Sequence, residues 1–312
     1  MYICDYGSNI DDIYQEELNY ILIGDGDVKT SNGFTLFEKT SEIGPWLKKQ
    51  KVTRTINRLQ VHHMGLPSYS TWEKTDKKVF SNPYFGRTES LDSYGKSTWG
   101  SKSANGKYIA QHFNVFPDGK ITTGRSLNSN PIGITGWNTG AICVEIYGNF
   151  DKGNDTMTAA QKKAVIALYG ELCKRFDITP SASTIRYHAW FTSGGTYLGD
   201  YKAGKSRKTC PGTAFFGGNT MTAFKKNFLP AIQQYIKDGS TEVKEESTYA
   251  TGVYKVTADT LNVRKGAGSS YEKTGEIKKG EAYTITKVSG SWGYLKSGLG
   301  WICLNGYTEK IK

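Results

Sequence analysis

The chain of 312 residues exceeds the usual size of a single domain, so two domains are the starting expectation, and its 37% hydrophobic and 13% aromatic content suits a folded, strand-rich protein rather than a disordered one. Its formal net charge is +11, and residues 1–237 hold most of it, with 29 Lys and Arg against 20 Asp and Glu. That balance suits an anionic partner (nucleic acid, a membrane surface or an acidic wall polymer), but no run of five basic residues occurs and acids are interspersed, as on an ordinary solvated surface.

The N-terminal stretch "MYICDYGSNIDDIYQEELNY" lacks the charged, apolar and small-residue order of a signal peptide, and no apolar run approaches the roughly 18 residues of a membrane span. No membrane insertion and no export route of its own are expected. "RLQVHH" reads as a strand and ends in two of the four histidines. Adjacent side chains on a strand point to opposite faces, so His62 and His63 cannot both serve one site, and the residues alone leave the choice open. "IAQHFNVF" and "AICVEIYG" also read as strands. Alternation in the second puts Cys143, Glu145 and Tyr147 on one face, against Ile142, Val144 and Ile146 on the other. A carboxylate in so apolar a strand needs a partner or a task, a salt bridge or plain exposure being the ordinary alternatives.

"TAAQKKAVIALYGELCKRF" predicts a helix, with capping-box spacing at Thr158 and Gln161 and a buried face of Val165, Leu168, Tyr169, Leu172 and Phe176. Cys173 borders that face and is assigned to packing. His188 lies at a strand end in "IRYHAWF", and Cys210 sits in the loop "SRKTCPG", where nearby Lys and Arg favour a thiolate. A second helix is predicted from Met221 to Ile236, kinked or restarted near Pro230. Strands alternating with helices predict an α/β domain over 1–237. A polar linker follows over 238–251, and then, over 252–312, closely spaced strand-like runs ("LNVRKGAGSS", "TGEIKKGEAYTITKV", "SWGYLK", "GLGWICL") predict a small all-β antiparallel barrel.

The five cysteines form no CxxC pair and are odd in number, which favours folding in a reducing compartment over a disulfide framework. Histidines and cysteines of the larger domain are numerous enough for a catalytic zinc, which takes three protein ligands and leaves a position for water. No local zinc signature exists, since 126 positions separate His62 from His188. Hydrogen-bonded packing histidines and a minor surface thiol are the bland alternatives.

Taken in order, "VHHMG", "HFNVFPDGKITTGR", "WNTGAICVEIYGNF", "YH" and "KTCPG" resemble the zinc-dependent N-acetylmuramoyl-L-alanine amidases, whose fold is shared by phage lytic amidases and animal peptidoglycan recognition proteins. The resemblance spans about residues 52–237, and residues 1–50 match nothing in it. It implies a mixed central sheet flanked by helices and a Zn2+ ion held by His62, His188 and Cys210, with His63 facing elsewhere. It further implies Glu145 as the group that handles the proton of water and Lys208 as a group near the oxyanion. Gln111 stands where some members carry a tyrosine, Gly133 or a neighbour where a histidine is frequent, and Trp190 where an acid is usual. "LNVRKGAGSSYEKTGEIKKGE" and "SWGYLKSGLGWI" resemble bacterial SH3-like wall-binding domains. There Trp292 and Trp301 are expected to pack the barrel, while Tyr271 and Arg264 fit either packing or ligand binding.

The expected protein is a monomeric, modular peptidoglycan hydrolase with bacterial peptidoglycan, not nucleic acid, as its partner. Its expected setting is a phage endolysin held in the host cytoplasm and released to the wall through a holin. A bacterial autolysin and a peptidoglycan-binding protein without catalysis are the alternatives.

Overall fold

The computed structural model describes residues 28–239, 241, 249–269 and 271–312. Two compact units divide the chain, Met1–Glu242 and Val243–Lys312. Of the expected linker, residues 240 and 242–248 lie outside the described residues, as do residues 1–27.

Seven strands form the sheet of the larger unit: β1 (Lys29–Ser31), β2 (Phe34–Phe37), β3 (Arg58–His63), β4 (Phe113–Val115), β5 (Ile121–Thr123), β6 (Ala141–Ile146) and β7 (Ile185–Tyr187). Their order is β1-β2-β5-β4-β6-β3-β7. β3 runs parallel to β6 and β7, and β4 parallel to β6, whereas β1, β2, β5 and β4 pair antiparallel. The sheet is therefore mixed. Residues that matched nothing in the sequence supply two of its strands and helix α1 (Ile43–Lys49), through buried Phe34, Leu36, Phe37, Ile43 and Leu47.

Register across the sheet brings His62, Glu145, Asn114 and Thr122 into one transverse row. Helix α2 (Pro83–Thr98) covers the Thr122 end of that row, its Thr88 hydroxyl 2.7 Å from that of Thr122. Asn82 caps the helix by accepting from the Tyr84 and Phe85 amides, and Pro83 fits the first turn, where no N–H is needed. The row stays open at His62 and Glu145.

Helix α3 (Ala159–Phe176) starts where Thr158 accepts the Gln161 amide. The reciprocal half of the expected capping box is absent. The Gln161 side chain turns inward instead and donates to the carbonyls of Val115 and Tyr147, at 2.9 and 2.8 Å, because those two buried acceptors have a stronger claim on it than a solvated cap. Val165, Leu168, Tyr169, Leu172 and Cys173 are buried as predicted, while Phe176 is only half-buried. The second helix is split. Short turns at Met221–Ala223 and Phe224–Phe228 precede α4 (Leu229–Asp238), since Pro230 has no N–H to continue the ladder, and Gly239 ends it at φ +75°. Among the described residues no helix is long and apolar enough to cross a membrane.

The smaller unit is an all-antiparallel seven-stranded sheet: β8 (Gly252–Val256), β9 (Thr260–Arg264), β10 (Lys273–Lys278), β11 (Ala282–Ser289), β12 (Trp292–Leu295), β13 (Trp301–Cys303) and β14 (Thr308–Lys310), ordered β10-β9-β13-β12-β11-β8-β14. Its core gathers Tyr254, Val256, Leu261, Val263, Ile277, Ile285, Leu295, Ile302 and Leu304. Trp292 and Trp301 are not in it, contrary to expectation. Leu295 and Ile302 point inward, so strand alternation turns Trp292, Tyr294 and Trp301 to the outer face, where they stay half-open.

Candidate metal centre

The strand ends decide which side chains meet. His62 projects from β3 beside Glu145 of β6, while His63 points to the opposite face and accepts the Phe150 amide on Nδ1 at 3.0 Å. His188 opens a short turn directly after β7. The Cys210 loop is tied to that turn by a 2.7 Å hydrogen bond from the Ala189 amide to the Cys210 carbonyl. Asp151 holds the loop from the other side, accepting from the Thr209 hydroxyl and the Thr213 amide at 2.8 and 3.0 Å.

As a result one nitrogen each of His62 and His188 and the Cys210 sulfur lie within 4.8 Å of one another, and all three residues are buried. The two imidazole centroids are 4.9 Å apart. A second group, His62, Cys143 and Glu145, meets the same limit and shares His62. His112 belongs to neither, because its nitrogens face the Cys143 amide and the Ser129 carbonyl, each at 3.0 Å.

Gln60, which the sequence did not single out, orients His62. Its amide nitrogen donates to the Trp137 carbonyl and to Asn138 Oδ1, so Oε1 faces the Ile134 amide and His62 Nε2, at 3.2 and 3.3 Å. His62 therefore carries its proton on Nε2 and keeps a lone pair on Nδ1, the atom that lies 3.8 Å from Glu145 Oε1. Gly133 makes room for this amide. A Cβ there would overlap Gln60 Oε1, so Gln60 fills the space beside the position where the resembling family often has a histidine.

Burial first, then the charges of His188 and Lys208, holds the His62 pKa well below the usual imidazole range. Burial, with Lys208 and Arg207, pushes His188 down to about 4. Both rings are neutral at pH 7 and have lone pairs to give. Cys210 is less open than its loop context implied. Burial pushes its thiol pKa well up and Glu145 adds to that, so nearby Lys208 does not suffice to make it a thiolate. Burial likewise raises Glu145 to about 8 against the pull of Lys208, and Glu145 Oε2 has no hydrogen-bond partner. Two neutral imidazoles and a thiol form a set that a divalent cation would satisfy, and Glu145, with its partnerless Oε2, adjoins it through His62. The donor types and their number fit zinc.

A cleft of about 740 Å³ opens over this cluster, with His62, Glu145, His188 and the exposed Lys208 in its lining. Gln111 and Gly133 line it too, whereas Trp190 is fully buried and donates to the Asn219 carbonyl. The sequence had also missed Tyr94 and Trp99 on the rim, exposed and edge-to-face at 5.4 Å.

A mixed α/β sheet with a His–His–Cys cluster at its strand ends is the arrangement that the resemblance to the amidases implied. The sequence profile of N-acetylmuramoyl-L-alanine amidases matches residues 52–213, and the chain belongs to that family. Residues 259–309 match the bacterial SH3 domain. Over 53 residues the chain is 45% identical to the putative N-acetylmuramoyl-L-alanine amidase YrvJ of Bacillus subtilis (strain 168), a match covering 17% of this chain and 10% of that protein. The chain thus spans about a tenth of that curated relative's length. Similar solved structures include the Endolysine N-acetylmuramoyl-L-alanine amidase LysCS from Clostridium intestinale URNW, with 20% identity, 53% of this chain and 78% of that one covered, and a TM-score of 0.33. Drosophila PGRP-LB aligns at 15% identity over 56% of this chain and 83% of its own, with a TM-score of 0.37. The Ph2119 endolysin from Thermus scotoductus MAT2119 bacteriophage Ph2119 aligns at 19% over 59% and 94%, with a TM-score of 0.34.

Proposed function

We propose that this protein hydrolyses the amide between the lactyl group of N-acetylmuramic acid and L-alanine in bacterial peptidoglycan, as a zinc-dependent amidase whose SH3-like unit holds it on the wall. The observation that carries the reading is the convergence of His62, His188 and buried Cys210 beside a cleft whose lining includes both histidines and Glu145. Those three residues would hold the ion, which when bound polarises the amide carbonyl and acidifies water. Glu145 takes the proton of the attacking water on its partnerless Oε2 and delivers it to the leaving alanine nitrogen. Lys208 brings a positive charge to the cleft wall, where negative charge develops on the carbonyl oxygen. Gln60 keeps His62 in one tautomer throughout.

The setting proposed with this activity is that of a phage endolysin, held in the host cytoplasm and passed to the wall through a holin, working as a monomer. Digestion of purified walls tests the activity: new N-terminal alanine should appear without new reducing ends. Reducing ends without free alanine would mean glycan cleavage and would overturn the proposal.

A further inference from the structure

The outer face of the smaller unit carries an arrangement that its fold does not need. Reading across neighbouring strands, Lys287 of β11 is the register partner of Tyr294 on β12, Tyr294 of Trp301 on β13, and Trp301 of Arg264 on β9. A β-bulge between Ile285 and Lys287 produces this alignment, for Ile285 stays in the core while Lys287, not Thr286, comes opposite Tyr294. The row crosses four strands, about 14 Å at the usual spacing. Its centre is aromatic, with the rings of Tyr294 and Trp301 5.3 Å apart and half-open. Its ends are cationic. Among the described residues neither Lys287 nor Arg264 has an ion-pair partner, although other lysines of this unit are paired, Lys265 with Glu272, Lys273 with Glu276 and Lys279 with Asp259.

We infer that this row is a binding surface for the peptidoglycan strand itself, with pyranose faces laid on Tyr294 and Trp301 and stem-peptide carboxylates held by Lys287 and Arg264. This rests on the wall-hydrolase reading and adds to it the ligand surface and its chemistry. Half-open aromatic rings offer flat apolar area at low entropic cost, suited to the C–H faces of sugars. Lys287 lies over the edge of the aromatic centre, its Nζ 5.6 Å from the Tyr294 centroid, and Arg264 Nη1 donates to the Tyr271 carbonyl at 2.8 Å. With no acid paired to either, both charges ask for anions on either side of the rings, and the rest of the arginine fork matches a carboxylate. A polyol-phosphate polymer supplies the anions without the ring faces, so the aromatic centre favours peptidoglycan.

Full-length protein is sedimented briefly on ice with purified walls, either native or stripped of phosphodiester polymers with hydrofluoric acid. Trp301→Ala and Lys287→Glu should each weaken binding by about tenfold, the size of loss found at aromatic anchors and their neighbours. Lys255→Glu, the same charge change at an exposed position of β8 outside the row, should bind within about twofold of the parent. Stripped walls should bind as well as native ones, and turnover of small soluble muropeptides should be unchanged in all three variants. Parental binding by Lys287→Glu and Trp301→Ala, or an equal loss in Lys255→Glu, overturns the row while leaving the hydrolase reading intact. Binding lost on stripped walls overturns the choice of ligand. A parent that neither sediments with walls nor releases N-terminal alanine overturns both.

Discussion

Replacing Glu145 by Gln should cost turnover and return stability, and the structure sets the size of the second effect. Burial raises the carboxyl from 4.5 to about 8 in the folded, metal-free protein. Between those pH values the unfolded chain ionises Glu145 while the folded chain keeps it protonated, so this group withdraws stability as pH rises and contributes nothing below pH 4.5. At about 1.4 kcal/mol per pH unit the ceiling is about 5 kcal/mol by pH 8. With 23% of the side chain open to the cleft, roughly 2–3 kcal/mol is the reasonable expectation. Gln never ionises and has the same shape. Urea unfolding of metal-stripped protein should therefore find Glu145→Gln level with the parent near pH 4.5 and more stable by that amount at pH 8. Adding zinc back should shrink the gain, because a neighbouring cation favours the carboxylate. A parent–variant difference that does not change with pH would refute the buried, raised carboxyl, and with it the argument that this site lacks a positive charge.

The same variant should lose roughly 10²- to 10⁴-fold in turnover on soluble muropeptides, and Lys208→Ala less; parental rates in Glu145→Gln would move the proton transfer to another group. Elemental analysis should find one zinc per chain in the parent and most of it lost in His188→Ala and Cys210→Ser, while His63→Ala keeps its metal; full occupancy in Cys210→Ser would shift the ligand role towards Cys143 and Glu145. Gln60→Ala should weaken zinc binding by about 10- to 100-fold in a chelator competition, the usual cost of removing a group that orients a ligating histidine. Unaltered affinity would leave Gln60 a purely structural amide.

Some of this was legible in the residues alone because local patterns fix local geometry. The period of 159–176 marked α3 and its buried face, and alternation in 141–146 placed Cys143 and Glu145 on one side and the valine and isoleucines on the other. Segment order identified the family, and the pair His62–His63 announced that only one ring could face a site. Gln60 was invisible because a glutamine in a strand carries no signal of its partners, all of which come from residues 62 and 134–138. Residues 28–50 were unreadable for a similar reason: strands of three and four residues show too little alternation, and their place at the sheet edge depends on pairing with β5.

Tertiary structure alone decided three matters. Parallel register set His62 beside Glu145, although 83 positions separate them in the chain, and no spacing rule foretells which residues two distant strands align. Packing buried Cys210, whose basic neighbours in sequence suggested an exposed thiolate, because the Ala189 and Asp151 contacts draw its loop onto the strand ends. In the smaller unit, the inward turn of Leu295 and Ile302 sent Trp292 and Trp301 outward, where they had been expected to pack the barrel. The sequence by itself determined the type of the strongly patterned elements, the family and the ligand-capable residues. Which of those residues share a face, a proton or a charge was left to long-range contacts, since burial and strand register are properties of the assembled sheet.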